Sequence, residues 1–280
     1  MRGVLRVKVP ESKWKELEAA KRIMPKDATY QNMTAQQLRE ELPVRVISLA
    51  RATERRTTVR KVLEAAGLSY ELVDAVDAAN TSIPISDVKK FVRGYRLRHW
   101  KDAERYRFHR QKVAVDVSHY QNLDRILKEN RTAVILEDDV NLPEAGRNKD
   151  AWYIRVLAAL QELPQDWDVL YVDTCTEKRG AVLGDHVRVA RQALCTLGYI
   201  ATPRFARKAL AQVRTSNLRL RMPFVDLLYA NMIEHLEVAG YVAAPPLAGF
   251  SSAKSTMDYA AAYANLTDWD KWVMGWRRLH

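Results

Sequence analysis

The sequence predicts an α/β fold, in which helices flank a mixed, largely parallel sheet. Short β-rich runs such as VRVISL (44–49) and AVILED (133–138) alternate with longer segments whose apolar residues recur at helical spacing. Apolar residues make up 48% of the 280-residue chain, which is enough for a packed core. The length fits one large α/β domain or two small ones.

The elements follow one another in a regular order from residue 44 onwards. Residues 1–43 are predicted to form an N-terminal extension with two helices, one capped by Ser12 and one begun by a capping box of Thr34 and Gln37. Strands are expected at 44–49, 70–77, 133–138, 167–173 and 198–203, and helices at 53–67, 114–130, 152–163, 204–213 and 224–238. The main domain is expected to cover residues 44–250, and residues 251–280 to form an aromatic, basic tail.

The charge of the chain favours a negatively charged partner. Lysine and arginine exceed the acidic residues by 11, with a pI of about 9.6, and such an excess concentrates polyanions near a protein. No apolar run of membrane-spanning length is present, and residues 1–10 lack the apolar block of a secretory signal. A cytoplasmic protein is expected, with Cys175 and Cys195 reduced rather than paired.

One acidic run stands at the end of a buried strand. Glu137, Asp138 and Asp139 directly follow four apolar residues. Adjacent carboxylates oppose one another's ionisation, so a positive partner is expected beside them. Ligands of open parallel sheets bind at the carboxyl ends of strands, which is where this run lies. Three other side chains are predicted at the same edge because they also close strands: Ser48, Asp74 and Asp173.

The chemistry of the run suits a hard cation. Oxygen ligands favour Mg²⁺, Mn²⁺ or Ca²⁺, and Mg²⁺ commonly combines one or two carboxylates with substrate phosphates. The alternative is a solvated turn, since Asp favours turns. From the residues alone the two interpretations are about equally supported.

Several stretches together resemble glycosyltransferase family 25, which includes bacterial lipopolysaccharide galactosyltransferases and procollagen galactosyltransferases. They occur in the family's order over about residues 44–250: VISLARATERR (46–56), YELVDAVDA (70–78), VSHYQNL (117–123), AVILEDDV (133–140), WDVLYV (167–172), LGYIATPRFARKAL (197–210) and PFVDLL (223–228). The resemblance implies a GT-A-like fold with a Rossmann-type nucleotide-binding half. It also implies inverting transfer of a hexose from a nucleotide sugar, usually a UDP-sugar, to a hydroxyl.

The resemblance implies roles for individual residues. Glu137, Asp138 and Asp139 would bind Mn²⁺ or Mg²⁺, which bridges the donor diphosphate. Arg51 and Arg55 lie just after the first strand and are candidates to bind phosphate. A solvated position on an exposed helix start is the alternative for Arg55 and the expectation for Arg56. The residues expected to contact the nucleotide sugar are Ser48, Arg51, Arg55, Asp74, Asp77, Ser118, His119 and Asp138. For Asp74 and Asp77 a role in turns, and for His119 a role in packing or capping, remain open alternatives.

The reaction also needs a general base to take the proton of the acceptor hydroxyl. Asp226 matches the late Asp of the family and is the first candidate, with Asp173 the second. A role of Asp226 in favouring the start of a helix stays open.

Two departures from the family pattern concern the donor. Ala78 replaces a Gly, and the residues aligned with an E-x-G-C run are Lys112, Ala114 and Val115.

The acceptor is predicted to be a polyanion, because residues 89–112 interleave basic and aromatic side chains. The residues expected to contact it are Arg93, Arg96, Arg98, Trp100, Arg105 and Arg107. One candidate is an anionic glycan such as lipopolysaccharide. Trp269, Trp272 and Trp276 of the tail share a helical face that suits a membrane surface, and packing of this face on the protein's own core is the open alternative. The other is phage DNA with a hydroxylated base, for example a 5-hydroxymethyl base. A third hypothesis is an inactive glycosyltransferase-like fold that binds nucleic acid. The family's members in the endoplasmic reticulum carry a secretory signal, so a bacterial or viral cytoplasmic protein, peripheral at the inner membrane in one version, is expected here.

Overall fold

The strands form a mixed sheet flanked by helices, which confirms the predicted fold class. The computed structural model describes residues 9–80, 85–91, 101, 107–215 and 225–251. Its helices are α1 Glu11–Ile23, α2 Ala28–Gln31, α3 Ala35–Glu41, α4 Thr53–Ala65, α5 Ile85–Lys89, α6 Arg107–Glu129, α7 Ala151–Glu162, α8 Pro203–Thr215 and α9 Val225–Glu234. Its strands are β1 Val44–Ser48, β2 Glu71–Asp74, β3 Ala133–Glu137, β4 Val140–Asn141, β5 Val169–Tyr171, β6 Thr176–Val182, β7 Val187–Leu194, β8 Gly198–Ala201, β9 Gly240–Ala243 and β10 Gly249–Phe250.

The eight-stranded sheet has the order β2-β1-β3-β8-β5-β9-β7-β6, and β4 pairs with β10 in a separate two-stranded sheet. Strands β1, β2 and β3 run parallel. Strand β8 runs against both β3 and β5, so that β5 and its parallel neighbour β9 have the direction of β3. The carboxyl ends of β1, β2, β3, β5 and β9 therefore lie along one edge of the sheet.

The burial of β1 and β3 fits their position inside the sheet. All five residues of β1 are buried, and so are the first four of β3, as expected for strands covered on both faces. Arg45 is the one charged side chain of β1, and it pairs with Glu129 at the end of α6. The helix α4 covers the sheet through Val59 and Leu63, which are fully buried.

The described part of the N-terminal extension, residues 9–43, packs on the rest of the chain. Trp14, Tyr30 and Leu38 are buried in the same core as the sheet. The rings of Tyr30 and Trp167 lie 6.3 Å apart, and Trp167 Nε1 donates a hydrogen bond to Asp27 Oδ2 at 2.9 Å. The predicted division of the chain at residue 44 thus crosses a shared core, and the separate extension stays a prediction.

The expectation of reduced cysteines is wrong for this structure, because Cys175 and Cys195 form a disulfide. Strands β6 and β7 form a hairpin that the sequence did not predict, and its first register pair is Thr176 with Leu194. The cysteines directly precede and follow that pair, so the hairpin brings their Cα atoms to 5.7 Å. Disulfides persist mainly in oxidising compartments, which bears against the predicted cytoplasmic setting. That setting stays a prediction.

Candidate functional site

Strand ends bring polar side chains to one edge of the sheet, as predicted. Ser48 pairs in register with Asp74 across β1 and β2, and Ile47 with Glu137 across β1 and β3. Asp173 follows β5 at the same edge, on the far side of β8. This edge is where α/β sheets bind their ligands.

Glu137 is partly buried, and 30% of its side chain is exposed. Its Oε1 accepts a hydrogen bond from Thr196 Oγ1 at 2.6 Å, and His119 Nε2 lies 3.4 Å from the same oxygen. Burial acts to raise the pKa of Glu137, but the neighbouring His119 and the hydrogen bond from Thr196 outweigh it and hold the pKa below its usual value. Glu137 is therefore a partly buried carboxylate that already contacts His119 and Thr196.

Asp138 and Asp139 share one positively charged partner, as the sequence predicted for the acidic run. Ser48 Oγ donates to Asp138 Oδ2 at 2.7 Å, and Arg55 pairs with Asp138 Oδ1. The same guanidinium lies 3.9 Å from Asp139 Oδ2. Asp139 Oδ1 is buried, and no residue in the described ranges donates a hydrogen bond to it. The backbone carbonyl of Asp139 accepts from Ser251 N at 2.7 Å, which fixes the turn.

The two aspartates have raised pKa values for the same reason. Burial and the charge of Glu137 raise the pKa of Asp139 to about 6, although Arg55 opposes the shift. Burial also raises the pKa of Asp138, while the hydrogen bond from Ser48 and the charge of Arg55 offset part of the effect. A cation beside Asp139 would favour the ionised carboxylate and so oppose this shift.

Asp139 is the member of the acidic run that best fits a metal ligand. Within the part of the chain that the structure describes, no three His, Cys, Asp or Glu side chains gather into a ready metal site. Glu137 and Asp138 both have side-chain partners. A cation that binds a nucleotide needs only one or two protein carboxylates and takes the remaining oxygens from phosphate and water. The full set of three ligands stays a prediction.

Arg51 and Asp77 form an ion pair above the edge. Arg51 Nε and Nη2 donate to the two carboxylate oxygens of Asp77 at 2.6 and 3.3 Å. Asp77 Oδ1 also accepts from Ala79 N at 2.9 Å, so this carboxylate closes a turn. The contacts match the turn role left open for Asp77. Whether Asp77 also touches a nucleotide stays a prediction.

The expectation for Arg56 was wrong, because this side chain is not simply solvated. Its Nη2 donates to Ser48 O at 2.8 Å and its Nε to Leu49 O at 3.0 Å, while the guanidinium also pairs with Asp74. Only 18% of its side chain is exposed. Arg56 thus ties α4 to the ends of β1 and β2. Its place in the first turns of α4, the helix that follows β1, was the available signal.

The Ser118–His119 pair lies on α6, beneath the edge, and both side chains are buried. Ser118 Oγ accepts from Val76 N at 2.9 Å and donates to Ala114 O at 2.7 Å. The Nδ1 atom of His119 lies 3.0 Å from the hydroxyl of Tyr199. Their contacts position β2 and Glu137. Direct contact with a donor stays a prediction for both residues.

Lys112 and Asp226 add a second charged group beside Glu137. Asp116, one turn after Lys112 on α6, accepts a hydrogen bond from Val225 N at 2.7 Å, at the start of α9. Burial raises the pKa of Asp226, against the charge of Lys112. Burial lowers the pKa of Lys112, against the charges of Asp226 and Glu137. Lys112 occupies the position where the family pattern has Glu, a departure that could have marked it as a site residue.

The second base candidate has different neighbours. Burial raises the pKa of Asp173, a hydrogen bond from Thr174 N at 2.8 Å opposes this, and the charge of Glu177 adds to it.

The predicted acceptor residues fall mostly outside the described ranges: Arg93, Arg96, Arg98, Trp100 and Arg105. Arg107 begins α6. Of the predicted tail, residues 251–280, all but residue 251 lie outside them.

Comparison with known proteins identifies the relatives of this arrangement. The model of the family described as "Glycosyltransferase family 25 (LPS biosynthesis protein)" matches residues 42–228, about two thirds of the chain. A protein of Anopheles gambiae named "Glycosyltransferase 25 family member" is 27% identical over 197 residues. The match covers 66% of this chain and 31% of that protein, so the chain spans about a third of its relative's length.

The match contains β1, the acidic run, the Ser118–His119 pair and Asp226. It confirms the family predicted from the ordered motifs. In the described ranges no helix is long and apolar enough to cross a bilayer. The chain belongs to glycosyltransferase family 25.

Proposed function

We propose that the chain is an inverting hexosyltransferase that uses a nucleotide-sugar donor, preferably a UDP-hexose, with a divalent cation held by Asp139. The observation that carries the proposal is the buried Oδ1 atom of Asp139, which has no hydrogen-bond donor among the described residues. Buried polar atoms are rarely left without a partner. At the ligand-binding edge of an α/β sheet, such an oxygen favours a cation that arrives with the substrate.

Arg55 supports the binding of a diphosphate. Its side chain is 16% exposed, pairs with Asp138 and lies 3.9 Å from Asp139. A guanidinium presents forked N–H groups that fit phosphate oxygens, so the donor would share Arg55 with Asp138. When Mn²⁺ or Mg²⁺ is bound, it acts as a Lewis acid that neutralises charge on the departing nucleoside diphosphate.

The transfer needs a base, and Asp226 suits that role better than Asp173. The acceptor oxygen attacks the anomeric carbon, the bond from that carbon to the phosphate oxygen breaks, and the acceptor proton passes to the base. Burial raises the pKa of Asp226, which makes it a better proton acceptor. The charge of Lys112 limits this rise and so favours the ionised carboxylate. Asp226 interacts with Glu137, whereas Asp173 interacts with Glu177 outside the acidic run.

We infer that the acceptor is an anionic glycan such as lipopolysaccharide. The net charge of +11 favours an anionic acceptor, and the description of the matching family names lipopolysaccharide biosynthesis. The alternative is DNA with a hydroxylated base. It depends on the basic and aromatic run of residues 89–112, most of which lies outside the described ranges.

The test is UDP release by the purified chain with Mn²⁺ and a panel of UDP-sugars. Each donor is offered alone, with lipooligosaccharide, and with DNA that contains 5-hydroxymethylcytosine. Release stimulated by the glycan is expected. It should fall at least about 100-fold in Asp139→Asn, because a group that stabilises leaving-group charge is lost. Asp185→Asn, which alters an exposed carboxylate on the β6–β7 turn, is the matched control and should match wild type.

The other outcomes separate the alternatives. Stimulation by the modified DNA and not by the glycan would replace the proposed acceptor. Activity that is equal in Asp139→Asn would remove Asp139 from the mechanism. If no donor is consumed in any lane, calorimetry with other nucleoside phosphates such as GDP and CMP decides between another nucleotide donor and a protein that only binds nucleic acid.

A further inference from the structure

A cavity of about 310 Å³ lies at the amino ends of β5 and β9, on the edge opposite the candidate site. Its walls come from α1, the middle of β7, the start of α8, the segment before β5 and the segment that leads from α9 into β9. Pockets for small ligands begin at roughly 300 Å³. The cavity is therefore large enough for one small molecule.

Helix α1 builds one wall, and it lies outside residues 42–228, which match the family. The helix is held in place by Arg191 of β7, which donates to Glu18 Oε1 at 2.7 Å and to Glu11 at 2.8 Å. The guanidinium also lies over the ring of Trp14, 5.7 Å from its centre. Trp14 and Leu17 give this wall an apolar surface.

The facing wall is polar and rigid. Asp168 is buried and accepts three hydrogen bonds, from Arg204 Nε at 2.7 Å, Lys208 Nζ at 2.7 Å and Ala239 N at 2.8 Å. These bonds join α8 to the starts of β5 and β9. The two cations are thus bound to a carboxylate.

Two polar atoms of the lining residues have no hydrogen-bond partner in the described ranges: the Tyr241 hydroxyl and Asp166 Oδ1. Only 1% of Tyr241 is exposed. The other carboxylate oxygen of Asp166 pairs with Lys21. Asp166, Asp168 and Tyr241 all line this cavity, and the charges of both carboxylates act on the Tyr241 hydroxyl. A phenol that can donate and a carboxylate that accepts therefore meet on one wall.

We propose that this cavity binds one neutral sugar residue of a glycan. A sugar hydroxyl both donates and accepts hydrogen bonds, so it can serve the Asp166 carboxylate and the Tyr241 phenol together. The C–H face of a pyranose is apolar and suits the wall of Trp14 and Leu17. The lining carries three cations and three carboxylates, which gives no excess charge to attract a phosphate. The site lies apart from Asp139 and does not depend on the proposed transfer reaction.

The experiment is saturation-transfer NMR on the full chain with free galactose, glucose and N-acetylglucosamine. At least one sugar should show transfer with wild type and with Asp139→Asn, whose change lies at the other edge. Tyr241→Phe removes only the hydroxyl and should weaken binding about tenfold. Tyr171→Phe is the matched control, since it removes another buried hydroxyl, outside the cavity, and should bind as wild type does.

A second variant keeps the test independent of Tyr241. Leu17→Trp places a larger side chain in the cavity from α1 and should abolish the sugar signal while circular dichroism stays unchanged. No transfer to any of the three sugars would overturn the proposal and leave the cavity to solvent. A signal that survives both Tyr241→Phe and Leu17→Trp would place the sugar elsewhere and overturn it equally.

Discussion

Replacing Asp139 by Asn is expected to stabilise the metal-free protein while it removes the activity. Burial and the neighbouring Glu137 raise the pKa of Asp139 from 3.8 to about 6. One pKa unit corresponds to about 1.4 kcal/mol. The ionised carboxylate therefore costs the folded state about 3 kcal/mol at neutral pH, where both the folded and the unfolded chain have lost the proton. Asn keeps the shape of the side chain and carries no charge.

The gain should depend on pH in a defined way. Below about pH 4 the carboxyl is protonated in the folded and the unfolded chain, so wild type and Asp139→Asn should be equally stable. Between about pH 4 and pH 6 the unfolded chain releases the proton first, and wild type loses about 1.4 kcal/mol per pH unit relative to the variant. Above that range the difference should level off at about 3 kcal/mol.

Urea unfolding in the presence of a chelator measures this difference at neutral pH and at about pH 4. Asp77→Asn is a control with the opposite sign. Burial acts to raise the pKa of Asp77, but its bonds with Arg51 and Ala79 hold it below the usual value. That variant should therefore lose stability at neutral pH, and the loss should fade as pH falls through the folded pKa. The reasoning fails if Asp139→Asn gains nothing at neutral pH, or gains equally at both pH values.

Three further changes test separate contacts of the described chain. Lys112→Met should move the acid limb of the kcat/KM profile to higher pH, because the ammonium lowers the pKa of Asp226; an unmoved limb would contradict Asp226 as the base. Cys175→Ser should lower the free energy of unfolding by about 3 kcal/mol, from the loss of a loop closed across 20 residues; an unchanged urea midpoint would mean that the thiol does not pair with Cys195. Arg56→Met should cost about 2 kcal/mol, because two carbonyls at the end of β1 lose their donors, and urea unfolding equal to wild type would contradict that role.

Local chemistry made the first half of the fold predictable. Strand β1 and the capping box of Thr34 and Gln37 lie where the sequence placed them. The N-cap predicted at Ser12 is not found there, because α1 already begins at Glu11. The carbonyl of Pro10 accepts hydrogen bonds from backbone nitrogens of the first turn. Pro10 therefore occupies the N-cap position with an extended backbone, and no side chain caps the helix.

Long-range pairing made the second half harder to predict. The β6–β7 hairpin contains charged residues such as Arg179 and Arg188, so its sequence pattern does not predict a pair of buried strands. The disulfide was missed for the same reason, since only that pairing brings Cys175 to Cys195. At the site, the strand-end rule found Ser48 without a structure. The position of Lys112 beside Asp226 depends on how α6 crosses α9, which no local pattern specifies.

Binding of Mn²⁺ to the purified full chain, followed by the electron paramagnetic resonance signal of the free ion, tests the role of Asp139 most directly. With UDP present, wild type should remove Mn²⁺ from solution, and the control Asp185→Asn should do the same. Asp139→Asn should leave the free signal near that of buffer with UDP. Equal depletion by wild type and Asp139→Asn would show that the cation does not depend on Asp139 and would contradict the proposed site.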